Sequence, residues 1–112
     1  MFHRSPAAAA AANFPLAAYA MASDLFGAAG VPWEAARPLV EAVVANAFDI
    51  GPRGALTGPV ARGDEETVSA QLRAVASSNP EWKLAFARFV ELLAALTGRS
   101  EQFESVLNNE ES

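Results

Sequence analysis

Apolar residues in this chain recur at intervals of three and four, block after block, and nowhere in strict alternation. That period gathers them on one side of a helix, whereas a half-buried strand needs a period of two. With 112 residues to arrange, the pattern predicts one outcome: an all-α fold, a multi-helix bundle. Glycines and prolines mark where its helices end. Pro6 suits a first turn and Gly30 a stop, so residues 6–28 read as the first helix. Phe14, Ala18, Met21, Leu25 and Ala28 mark one face of it, and alanines 7–12 leave a thin face that a partner helix can approach closely. Pro15 lacks a backbone donor and is expected to kink it.

A second helix is expected from near Pro32 toward Phe48, bent early by Pro38, with Leu39, Val43 and Ala47 as one stripe and Val40 and Val44 beside it. The stretch "DIGPRGALTGPVARGD" then holds four of the seven glycines and two of the seven prolines, which makes it the main irregular segment. A third helix follows Asp64, with Val68, Leu72 and Val75 facing inward. The fourth, from about Pro80 to Leu96, is the most apolar, with Trp82, Phe86, Phe89, Leu93 and Leu96 as its expected inner face. Gly98 stops it. The expected organisation is a helical domain over 1–98 and a polar tail over 99–112, a short helix or a frayed end.

Composition removes several functions. A net charge of −5 with eight Lys and Arg and no basic stripe argues against nucleic acid as a partner, since phosphate contacts need clustered positive charge. The absence of cysteine excludes disulfides, thiolate chemistry and Cys-type zinc sites. The start "MFHRSPAAAAAANFPLAAYAMA" has the basic residues and Ala-x-Ala of a secretory signal. Its apolar run is mostly alanine, however, is interrupted by Asn13 and Pro15, and continues in helical period past the would-be cleavage site. A cytoplasmic chain is therefore expected. No membrane span is expected, because Pro15 and Asp24 break the only candidate.

Chemistry has few places to reside. Gly58 and Gly63 have the spacing of a phosphate-binding loop, but Asp64 and Glu65 stand where that loop needs a lysine and a hydroxyl, and two carboxylates there repel phosphate. The tripeptide Arg62-Gly63-Asp64 reads better as a helix start than as an adhesion motif. Asp64 precedes "EETVSAQL", where its carboxylate can accept the free amides of the third helix, and Glu65 and Glu66 favour the same positive end. Arg62 can bind a carboxylate or phosphate in bidentate fashion, or tie the loop to a helix end or a nearby acid; Thr57 stands beside it in the loop. Asn13 and Asn46 are amides on largely apolar helices, each able to line a pocket or cap a neighbour. His3, the only histidine, has no second histidine or close carboxylate set, so no metal site is expected. No Ser-His-Asp or paired-carboxylate constellation stands out.

Three segments together resemble a known family. "ALTGPVARGDEETV" is similar to the signature of the helical domain called domain of unknown function 2520. "FHRSPAAAAAANF" resembles that family's start and "LFGAAGVPWEAARPLVEAVVANAFDIGP" its following turn and helix, so that the likeness runs over roughly residues 2 to 97. The family typically follows a Rossmann-like domain in bacterial proteins related to NAD(P)-dependent oxidoreductases. The resemblance thus implies a fold similar to the C-terminal domain of 6-phosphogluconate dehydrogenase-like enzymes, which supplies a dimer interface and part of a substrate cleft. It places substrate-binding roles on His3, Asn13, Asn46, Thr57 and Arg62, and loop and cap roles on Gly58, Pro59, Gly63 and Asp64. Related dehydrogenases often carry a catalytic lysine four residues before the first-helix asparagine; Ala9 stands there. Pro15 replaces a usual aliphatic residue and Gln71 a frequent histidine.

No G-x-G-x-x-G follows a strand, so this chain alone is expected to bind no cofactor, and NAD(P) would enter only with a Rossmann domain supplied to it. The expected function is a dimerisation and substrate-cleft domain of an oxidoreductase-like protein, not catalytic by itself. The alternative is a stand-alone structural or interaction module without catalysis.

Overall fold

The computed structural model describes residues 5–111, and all regular structure among them is helical. The chain divides into two compact units, one ending at Ala36 and one beginning at Arg37.

In the first unit, Ser5 caps α1 (Pro6–Ala8), its Oγ accepting from the Ala8 amide at 3.1 Å, and α1 leads into a π-helical stretch, Ala9–Asn13, and then α2 (Phe14–Ala28). The wide π turn sits immediately before Pro15. There the Phe14 amide reaches back five residues to the Ala9 carbonyl. Widening the turn relieves the clash between a proline ring and the carbonyl one turn earlier, so the kink expected at Pro15 takes the form of a bulge. The end of α2 is closed by two bonds, Val31 amide to Phe26 carbonyl at 2.9 Å and Gly30 amide to Gly27 carbonyl at 3.0 Å. The chain then turns through a 3-10 segment, Trp33–Ala36. Trp33 holds that segment to α2 by packing its ring 6.0 Å from Tyr19 and 6.0 Å, edge to face, from Phe26.

The second unit contains α3 (Arg37–Ile50), α4 (Pro59–Arg62), α5 (Glu65–Ser78), a 3-10 turn at Pro80–Trp82, α6 (Lys83–Leu96) and α7 (Ser100–Glu111). Its core joins Val60 of α4, Val68 and Leu72 of α5, Ala87, Val90 and Ala94 of α6, and Phe103, Val106 and Leu107 of α7. Each large apolar side chain buried this way contributes roughly 1.5–3 kcal/mol. The third-helix stripe is thus placed as its spacing requires.

The expectations for α6 and α3 are corrected. The inner face of α6 is the small-residue ridge Ala87–Val90–Ala94, with Phe86 and Leu93 packed only at its edge, while Phe89 and Leu96 remain exposed. Small residues are used there because Phe103, 0% exposed, fills the space between helices. The stretch 99–112 supplies that phenylalanine: α7 is amphipathic, and Phe103, Val106 and Leu107 fall on one face at spacings of three and four.

The stripe expected to bury α3 does not do so. Leu39 (63% exposed), Val43 (53%), Val44, Phe48 (89%) and Ile50 (63%) all face solvent, and only Val40 and Ala47 are half-buried. No residue of α3 is fully buried.

Candidate functional site

The loop of residues 57–64 is built from backbone constraints. Gly58 precedes α4 with φ 94° and ψ −177°, a region essentially closed to residues with a Cβ. Pro59 starts the four-residue helix, and Val60 anchors it in the core. Gly63 ends it with φ 71°, and two bonds close the turn: Asp64 amide to Pro59 carbonyl at 2.8 Å and Gly63 amide to Val60 carbonyl at 3.0 Å. Asp64 then caps α5. Its carboxylate accepts from the Thr67 amide at 3.2 Å and from the Thr67 hydroxyl at 2.7 Å. The Thr67 hydroxyl, then its amide, and then the nearby Arg62 charge hold the Asp64 carboxyl below its ordinary pKa.

A clamp from α7 fastens this loop. Arg99 Nε donates to the Ala61 carbonyl at 3.0 Å, and Arg99 Nη1 donates to Gln102 Oε1 at 3.0 Å. Gln102 Nε2 in turn donates to the Gly63 carbonyl at 3.0 Å and to Glu65 at 2.9 Å. The approach is close: a Cβ added at Gly63 would stand 2.6 Å from Arg99 Nη1. The arginine that ties the loop down is therefore Arg99. Sequence reasoning weighed only Arg62 for that task and missed both Arg99 and Gln102, because the contact spans nearly forty residues and no local spacing announces it.

Arg62 itself is 63% exposed along its side chain and makes a long ion pair with Asp64, 4.0 Å. A pair so exposed contributes little to stability, and the planar guanidinium is presented to solvent. Thr57 is exposed at the start of the same loop. Asn46 lies on the exposed surface of α3, also in the second unit. Asn13 closes the π-helical stretch of the first unit and is exposed. His3 lies outside the described residues. Of the expected site residues, the structure brings Arg62 to Asp64, and it sets Asn13 in a different unit from Asn46, Thr57 and Arg62.

Clefts in the second unit lie elsewhere. One of about 290 Å³ has apolar walls from Leu72, Leu84 and Ala87 beside Lys83. Others of about 390 Å³ and 330 Å³ are lined partly by Glu91 and Glu104, and by Glu65, Glu66 and Arg73. None of the three includes Asn13, Asn46, Thr57 or Arg62. Among the described residues, no group of three or more His, Asp or Glu side chains is placed to hold a metal ion. No single described helix is long and apolar enough to cross a membrane.

Fold and loop together define a small all-helical domain whose most constrained feature is a clamped Gly-Pro…Arg-Gly-Asp turn. The sequence profile of the family described as a domain of unknown function (DUF2520) matches residues 4–92, and the chain belongs to that family. No curated protein and no solved structure gives a significant match. Arg99 and Gln102 lie beyond the matched residues, so the clamp on the loop of residues 57–64 comes from outside the matched segment.

Proposed function

We propose that this chain is a helical assembly domain that forms a homodimer and offers a wall of a substrate cleft to a Rossmann-type partner domain in an NAD(P)-dependent, oxidoreductase-like protein of the cytoplasm. One observation carries the assembly half of this reading. A fourteen-residue helix, α3, has no buried residue yet carries Leu39, Val43, Val44, Phe48 and Ile50 on its surface. Leu39, Val43 and Ile50 fall on one side of the helix and Val44 and Phe48 on another, and so many exposed apolar side chains on one helix support an interaction role. The cleft half rests on the exposed Arg62 guanidinium, which suits a carboxylate or phosphate on a substrate, and on the family resemblance of the loop. Light scattering at micromolar concentration tests the assembly: twice the mass of the chain is expected, and the mass of one chain refutes it.

A second reading, a structural module with no part in catalysis, is favoured by the clefts, because none of the three is lined by the loop or the two asparagines. Joining the chain to a Rossmann-type domain, saturating it with NADPH and titrating inorganic phosphate with and without Arg62→Ala separates the two. Weakened phosphate binding in the variant supports the cleft role, and unchanged binding supports the module.

A further inference from the structure

We propose that the cleft between α5, α6 and α7 binds a small monocarboxylic acid with an apolar body, whose carboxylate is held by Lys83. The site stands apart from the Arg62 loop and does not rest on the dimer reading.

The cleft is built by three helices that share one core. Leu72 of α5 and Ala87 of α6, 5% and 1% exposed, give it an apolar floor, and Leu84, well exposed on α6, gives it an apolar rim. The charged groups that line it are Lys83 and Arg88 of α6 and Glu110 of α7.

Two of those charges are already engaged within the protein. Glu110 accepts from Arg73 Nη1 at 2.9 Å, and Arg88 Nη1 pairs with Glu91 at 3.5 Å. Lys83 is half-buried, and among the described residues no hydrogen bond or ion pair holds its ammonium. The two ion pairs cancel, so the cleft keeps a single positive charge beside an apolar floor. The helix gains nothing from that charge: Lys83 is the first residue of α6, and the positive end of a helix disfavours a cation.

This balance selects the occupant. One uncompensated positive charge beside apolar walls complements a ligand with one negative charge on an apolar body. A neutral ligand would draw the ammonium further from water with no counter-charge, which is costly. A phosphate monoester, with a charge of about −1.5 to −2, would leave an excess of negative charge near Glu110. A lysine ammonium acts as a point charge, so it accepts a carboxylate without needing the two-pronged geometry of an arginine. The volume of about 290 Å³ falls at the bottom of the range of small-molecule sites, which limits the body to a short aliphatic chain or one aromatic ring.

Hexanoate and benzoate are titrated into the isotope-labelled full chain, and the amide resonances are followed by NMR. Saturable shifts are expected at Leu72, Leu84 and Ala87. Hexanamide keeps the body without the charge, and acetate keeps the charge without the body; each is expected to bind at least about tenfold more weakly than hexanoate. Lys83→Gln is expected to weaken hexanoate binding by a similar factor, Lys83→Arg to retain it, and Arg62→Ala to leave it unchanged. The absence of saturable shifts at the three residues overturns the proposal, as does equal binding of hexanamide or binding that survives Lys83→Gln. Loss of binding in Arg62→Ala overturns it by moving the carboxylate to the loop. Hexyl phosphate binding more tightly than hexanoate overturns the choice of a monovalent anion. Tighter binding of acetyl-Ala-Leu overturns the free acid, since it gives the site to the carboxylate of a polypeptide end.

Discussion

At the scale of single residues, Gly63 carries two constraints at once. Its φ of 71° disfavours any side chain, and the guanidinium of Arg99 stands too close to admit a Cβ without moving. Gly63→Ala is expected to lower stability by about 1–3 kcal/mol, read as a reduced urea midpoint, through strain and through a displaced Arg99. Asp64 gives a pH signature. Its folded pKa is depressed, chiefly by the Thr67 hydroxyl, so its contribution is fully present above the ordinary value of 3.8 and is lost as the pH falls through the lower folded value. Melting temperature should therefore drop more steeply below about pH 4 in the native chain than in Asp64→Asn, which keeps an acceptor for the helix amides without the titration. Parallel slopes for the two proteins would remove this role from the carboxylate.

At the scale of elements, α7 matters more than its polarity suggests. Phe103→Ala is expected to cost about 3–5 kcal/mol, measured by denaturant unfolding, because it opens a cavity where α4, α5 and α6 meet. A loss that size takes much of the stability of an ordinary small domain. Local pattern made the helices legible. The stripe of Val68, Leu72 and Val75 announced the buried side of α5, and the Asp64 cap could be read from its position before two glutamates. Pattern says nothing about which apolar face meets which. The aromatic side of α6 looked like its interior, yet Ala87, Val90 and Ala94 lie inside, because the width of the gap depends on Phe103 from a segment that reads as polar. The clamp was illegible for the same reason: Arg99 and Gln102 act on carbonyls whose identity no side-chain pattern records.

At the scale of the whole molecule, the proposed dimer rests on the exposed apolar residues of α3. Its strength should resist salt. Raising the ionic strength from 0.05 M to 1 M is expected to leave the dimer fraction unchanged or higher in sedimentation velocity experiments, whereas dissociation by salt would point to charged surfaces instead. The position of Phe103 has a further consequence for anyone dividing this polypeptide. The family's matched region ends at residue 92, eleven positions before that ring. A piece trimmed to the matched region would keep Val68, Leu72, Ala87 and Val90 but discard what covers them. It would be sticky rather than soluble, and its misbehaviour would reflect the choice of cut rather than the character of the family.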